Sequence, residues 1–260
     1  MTGMRLAAEF QSPSPEQFRF TILHAGEPAV LRSVADHWPL VAASKGGADW
    51  MAMLASRATD LSVGVIRAEP KEEGRFHYSA DGRSLNFIRG KADLPTFLGV
   101  LRKMASERRP HALAAQGLPA EQYVPGFAAS HPMPLVPEDV PPRAWIGNAS
   151  KVATHNDPVD NVAVVAAGRR RFTLFPPSAE PDLYMGPDQP TPAGTPVSMV
   201  HVTKPDFDLY PRFRAALDVA QEAELEPGDA IFIPRDWYHH VEALEPLNML
   251  VNYWFDGGRT

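Results

Sequence analysis

The sequence predicts a mainly β protein whose second half closes into a small antiparallel barrel or sandwich, with helices packed outside a sheet in the first half. Two observations carry this. From Tyr123 onward, short apolar runs recur at close spacing with Gly or Pro between them, at residues 144–147, 152–157, 161–167 and 170–175. The chain also holds 27 prolines, which break helix interiors and collect at strand ends and loops. A length of 260 residues with 44% hydrophobic residues is enough to bury a substantial core as one domain. Residues 1–122 then form a helical and strand elaboration, and residues 123–260 the β core.

Taken in order, Ser14-Pro15-Glu16-Gln17 reads as a helix start, with Ser14 as N-cap, Pro15 in the first turn and Gln17 closing a capping box. Residues 29–31 form a brief apolar strand. Asp49 caps a helix carrying Trp50, Met53 and Leu54 on one side. Residues 61–67 read as a strand and 71–75 as a charged, solvated loop. Leu94, Phe97, Leu98 and Leu101 recur at helical spacing after Asp93, with Pro95 in the first turn. Residues 178–197, rich in Pro, Gly and Thr, form a long irregular loop, the kind that often serves as an active-site lid, with Tyr184 and Met185 as its apolar contacts. Residues 197–202 return as a strand, 210–222 as a helix, and strands at 229–233, 239–244 and 248–255 finish the chain.

Composition excludes several function classes. There is no cysteine, so disulfides, thiolate metal sites and a cysteine nucleophile are ruled out. The net charge of −6 argues against a dedicated nucleic-acid binder. One local cationic run, Arg102, Lys103, Arg108 and Arg109, falls at the end of the helix that starts near Asp93, where positive charge suits the helix dipole. No run approaches the ~18 apolar residues of a membrane span, and the N-terminus lacks a signal-peptide core, so the expectation is a soluble cytoplasmic protein without a membrane partner.

The stretch Thr154-His155-Asn156-Asp157 carries the chemistry. On a strand, His155 and Asp157 project from one face and Asn156 from the other. An imidazole and a carboxylate side by side supply two corners of a divalent metal site. A third ligand comes from the run Asp236-Trp237-Tyr238-His239-His240, where adjacent residues point to opposite faces. His239 shares its face with Val241, whereas His240 shares its face with Glu242, so His239 is favoured. Two histidines and one carboxylate leave half an octahedron open, the arrangement of non-haem Fe(II) oxygenases. Among Arg169-Arg170-Arg171, alternation places Arg170 with Phe172 and Leu174, facing an apolar interior where a guanidinium needs a carboxylate partner. Arg169 and Arg171 fall on the solvated face.

The blocks H-N-D-P-V-D-N, G-R-R-R-F-T-L-F-P-P, P-G-D-A-I-F-I-P-R-D-W-Y-H-H-V-E and V-N-Y-W-F occur in this order. Together they resemble the cupin-like branch of the JmjC-type Fe(II)/2-oxoglutarate oxygenases. The resemblance covers residues 144–255, with E-P-A-V-L-R and W-P near the start matching more loosely. It implies a double-stranded β-helix (jelly-roll) core with flanking N-terminal helices. It also implies Fe(II) held by His155, Asp157 and His239, and 2-oxoglutarate as co-substrate. Arg170 stands where several relatives carry the lysine that meets the distal carboxylate. Asn161 and Asn252 match positions that contact the co-substrate near the metal, Tyr123 matches a tyrosine at its distal end, and Trp254 walls the pocket.

The expected activity is therefore hydroxylation of a protein side chain or a small molecule, with nucleic acid disfavoured. Two other classes compete. A metal-binding cupin without oxygenase activity, such as an isomerase or a small-molecule binding protein, would keep the three ligands but have no use for Arg170, Asn161 and Asn252. A silent interaction module would be free to lose a ligand. The chain ends shortly after Phe255, so a dimer would use a surface other than C-terminal helices.

Overall fold

The structure, a computed structural model, describes residues 4–79, 82–192 and 194–258. Strands in the first half are β1 (Arg5–Leu6), β2 (Ala8–Gln11), β3 (Ala29–Arg32), β4 (Ser62–Ala68), β5 (Arg75–Phe76), β6 (Phe87–Asp93) and β7 (Ala112–Pro119). The second half adds β8 (Arg143–Gly147), β9 (Lys151–Asn156), β10 (Asp160–Ala167) and β11 (Arg170–Phe175). It closes with β12 (Gln221–Leu225), β13 (Ala230–Ile233), β14 (Tyr238–Ala243) and β15 (Asn248–Phe255). They form two sheets: a six-stranded one in the order β1-β12-β11-β14-β9-β5, and a nine-stranded one in the order β2-β3-β13-β10-β15-β8-β7-β4-β6. This is the expected jelly-roll, two mostly antiparallel sheets with their inner faces packed together.

Strand β10 shows why the sheets stack this way. All eight of its residues are buried. Ala163 and Val165 join Phe172, Leu174, Ile231, Ile233, Val241 and Leu250 between the two sheets. The alternate residues Val162, Val164 and Ala166 pack instead with Trp38, Leu40, Phe97 and Phe232 under the helical layer. A strand covered on both faces reads as a continuous apolar run because neither face meets water.

The helices form where their caps stand in the sequence. Ser14 accepts a hydrogen bond from the Gln17 amide at 3.1 Å, Asp49 from Ala52 at 2.9 Å, and Asp93 from Thr96 at 2.8 Å. Helix Leu94–Met104 buries Leu94, Phe97, Leu98 and Leu101 against the outer face of the large sheet. Each such aromatic or leucine contributes roughly 1.5–3 kcal/mol on burial.

Several elements depart from expectation. Strands β6 and β7 extend the nine-stranded sheet where no strands are predicted. The residues of β6 at 88–91 (Ile-Arg-Gly-Lys) are exposed at a sheet edge and lack alternation, and β7 holds alanine, glycine and proline, all poor strand formers. The predicted helix at 210–222 is only Phe213–Asp218, and Gln221 already begins β12, whose Gln221, Ala223 and Leu225 are buried. Residues 197–202 are not a strand but a turn-rich segment with one bridge, Met185 to Ser198. The first 122 residues are also more than an elaboration, since β3 pairs with β13 inside the large sheet.

Candidate metal centre

Three elements converge on the small sheet's inner face. β9 and β14 are antiparallel neighbours with His239 opposite His155. The register is set just before β14, where Asp236 adopts a left-handed conformation (φ 66°) and donates its amide to the Asp157 carbonyl at 2.9 Å. Asp tolerates that region better than most side chains. The donor atoms of His155, Asp157 and His239 all lie within 4.8 Å of one another. His239 Nε2 stands 3.8 Å from Asp157 Oδ2, and the two imidazole rings are 4.4 Å apart between centroids.

Both histidines are oriented by the same device. His155 Nδ1 donates to the Ala153 carbonyl at 2.9 Å, and His239 Nδ1 donates to the Trp237 carbonyl at 3.2 Å. A carbonyl only accepts, so each Nδ1 carries the proton and each Nε2 presents a lone pair. Burial pushes the His239 imidazolium down to about 4, with the neighbouring His155 adding to the shift and Asp157 opposing it. His239 is thus a neutral ligand throughout the physiological range.

Asp157 is held in turn. Its Oδ2 accepts from Asn161 Nδ2 at 3.3 Å and from Trp254 Nε1 at 3.2 Å. Asn252 Nδ2 donates to Asn161 Oδ1 at 3.0 Å, so a chain of two asparagines and a tryptophan fixes the carboxylate. Asn252 keeps a buried, unpartnered Oδ1. The asparagines and Trp254, expected at the co-substrate and the pocket wall, are seen here first as partners that orient a metal ligand.

Arg170 enters the space between the sheets from β11. It sits between Leu225 and Ala243 and is only 5% exposed. Its Nε has no hydrogen-bond partner, and no carboxylate among the described residues pairs with it. Desolvation alone lowers it to about 10, leaving it charged at neutral pH. Its neighbours go the other way. Arg169 pairs with Glu224 and Glu245, and Arg171 with Glu222, Glu224 and Glu242, on the outer face.

His240 is on that outer face too, buried beside His201 and without a partner for either ring nitrogen. Tyr123 corrects the expectation. Its hydroxyl donates to the Ser62 carbonyl at 3.3 Å, and its ring packs into the apolar layer beneath the helices, on the far side of the large sheet from Arg170. The short match around Tyr123 lacks the strand context that the other residues have. Tyr184 and Met185 likewise pack with Phe175, Val200 and Phe213 rather than over the site. The stretch of that loop that lines the cleft is Gln189–Pro192 with Gly194.

Two residues at the site escape the sequence reading. Trp145 meets Trp254 edge-on at 6.1 Å. Arg143 lies over the Trp254 ring at 5.7 Å and donates to the Gly117 carbonyl at 3.3 Å. Their alternation along β8 with the buried Ala144 and Ile146 was the available signal.

The donor set fits Fe(II): two imidazoles and a carboxylate, with the rest of the coordination sphere open. The unpaired Arg170 guanidinium fits the distal carboxylate of 2-oxoglutarate. Comparison with known proteins agrees. Over 94% of its length the chain is 26% identical to the human bifunctional peptidase and (3S)-lysyl hydroxylase JMJD7, covering 82% of that protein. It is 27% identical to lysine-specific demethylase 8 of Xenopus tropicalis across 94% of the chain and 51% of the relative. A 112-residue stretch is 38% identical to the Arabidopsis thaliana lysine-specific demethylase JMJ31, and spans only 20% of that protein. The family model for the cupin-like domain matches residues 15–260, and the chain belongs to that family.

Proposed function

We propose that this protein is an Fe(II)- and 2-oxoglutarate-dependent oxygenase that hydroxylates a protein side chain or a small molecule. The observation that carries the reading is a buried, unpaired guanidinium in the same inter-sheet space as an oriented His-Asp-His triad. A buried charge without a partner is costly, and a dicarboxylate co-substrate supplies the missing partner. A metal-binding cupin of another kind leaves Arg170 unexplained.

When bound, the iron and 2-oxoglutarate supply the oxidising chemistry, with succinate and carbon dioxide as by-products. The chain's own work is positional. His155 and His239 present lone pairs fixed by backbone carbonyls. Asn161 and Trp254 hold the Asp157 carboxylate still, and Asn252 holds Asn161. Arg170 anchors the distal carboxylate, while Phe172, Val241 and Leu250 keep water away from the space between the sheets. The relatives' names include a lysyl hydroxylase and lysine demethylases, which supports a protein substrate.

Incubation of the purified protein with Fe(II) and 2-oxoglutarate should yield succinate even without substrate, and faster when lysate peptides are added. Mass spectrometry of those peptides should show gain of one oxygen. Asp157→Ala should abolish turnover and weaken Mn(II) binding by more than ~100-fold, since loss of an outer partner alone costs about 10–100-fold. Equal Mn(II) affinity in wild type and variant removes the basis of the site.

A further inference from the structure

The inner face of the large sheet carries cations beyond the metal centre. Strand pairing places Asn252 opposite Arg143 and Leu250 opposite Trp145, so Arg143 and Trp145 share the inner face of the large sheet with the site residues. Beyond them the same face continues across β7 onto the β4–β6 hairpin, where Gly64 pairs with Lys91 and Ile66 with Arg89. Ile66 packs toward Phe76 of the small sheet, which fixes this as the inner face. A cleft of about 800 Å³ runs along it, bounded by Trp145, Gln116, Ile66, Arg89 and Lys91 on one side and Gln189–Pro192 on the other.

No carboxylate lines this cleft among the described residues. Arg89 has the Phe87 ring at 5.4 Å and Arg143 the Trp254 ring at 5.7 Å, and among the described residues none of Arg89, Lys91 and Arg143 forms an ion pair. This differs from the outer face of the small sheet, where arginines are matched by glutamates. A substrate lysine would find no counter-charge lining this cleft among the described residues.

We propose that the cleft bounded by Arg89 and Lys91 receives an acidic peptide segment, with aspartate or glutamate side chains on these cations and the modified residue beyond Trp145. Two observations support a peptide. The volume lies near the upper end of small-ligand pockets. The strand carrying both cations, β6, has a free edge at the end of its sheet. Arginine forks match carboxylates bidentately. The inference rests on the oxygenase reading, because it takes the cleft as the substrate's path to the metal.

The test reads binding rather than turnover, so it stands apart from the oxygenase assay: failure to make succinate would remove that reading and leave these affinities to be judged alone. Fluorescein-labelled eleven-residue peptides of Gly and Ala, carrying two glutamates, two glutamines or two lysines near the centre, are titrated against the Mn(II)-loaded full chain by anisotropy. The glutamate peptide should bind at least ~10-fold tighter than the lysine peptide, a difference of about 1.4 kcal/mol, with an advantage that shrinks as salt rises. Arg89→Glu with Lys91→Glu should invert the order. The milder pair Arg89→Gln with Lys91→Gln should erase the preference even if the charge reversal disturbs the edge strand. Equal binding of the three peptides, preference for lysine, no measurable binding, free glutamate competing as well as the peptide, or a preference untouched by the neutral pair would each overturn the proposal.

Discussion

The two faces of the small sheet carry the same residue types and treat them in opposite ways. On the outer face, Arg169 and Arg171 are shared among Glu222, Glu224, Glu242 and Glu245. On the inner face, Arg170 is buried and pairs with no acid among the described residues. The adjacent histidines divide in the same way, with His239 oriented for a metal and His240 packed without a hydrogen bond. One residue's step along a strand turns a surface ion-pair network into a buried, unpaired charge. A charge satisfied within the protein contributes to the fold. The one left unsatisfied in the interior is, in the proposed function, the partner of a dicarboxylate.

Removing the inner cation is the sharpest way to break this contrast. Arg170→Met should weaken 2-oxoglutarate binding by roughly 3–5 kcal/mol, the cost of stranding one partner of a buried charge pair. The same change should raise the unfolding temperature of the ligand-free protein, because a buried unpaired charge is exchanged for an apolar side chain of similar length. Calorimetric titration with 2-oxoglutarate and a thermal melt of the same two samples check both halves. A variant that binds as tightly as wild type, or melts lower without ligand, contradicts the role given to Arg170.

A smaller effect is expected from acid. Burial holds His240 down at about 3 and His201 at about 4, and it lowers His77 as well. Below pH ~6.5 the unfolded chain takes up protons that the folded chain refuses. Stability from these groups is therefore intact above pH ~6.5 and is lost as the pH falls toward 4 and then 3. His240, the most deeply buried of the three, makes the largest single contribution. Each tenfold change in proton affinity is worth on the order of 1.4 kcal/mol, so the loss amounts to a few kcal/mol. Urea unfolding of chelated protein at pH 7 and pH 4.5 should show it. His240→Phe, which keeps the ring and removes the proton site, should lessen it.

The smallest effect belongs to the outer face. Arg171→Ala removes contacts to three glutamates, yet all four side chains are partly solvated. Such pairs contribute about 0–1 kcal/mol, with salt screening most of it. Succinate production by Arg171→Ala should match wild type, in contrast with Arg170→Met. A large loss in the outer variant would show that the two faces are not independent.

Much of the metal site was legible in the chain because strand alternation is a local rule. His155 with Asp157, His239 over His240, and Arg170 over its two neighbours follow from period two and the polarity of what lies on each face. The helix caps at Ser14, Asp49 and Asp93 are local as well. Each needs only a side chain three residues from an amide. What failed locally failed for a non-local reason. β6 and β7 are strands because neighbouring strands supply their hydrogen bonds, not because their residues favour extension. Tyr123 has a pocket-like context in the sequence and a helical-layer position in space.

The sequence by itself determined the ligand types, the inward face of β9, β11 and β14 and the charge on Arg170, since these depend on residues within a few positions of one another. Only the tertiary structure decided that Asn252 and Trp254 join Asn161 around Asp157, that no acid among the described residues pairs with Arg170, and that Lys91 and Arg89 line one cleft with Trp145. Those relations join strands dozens of residues apart. They are fixed by sheet order and register, which come from packing the whole core rather than from any one stretch of it.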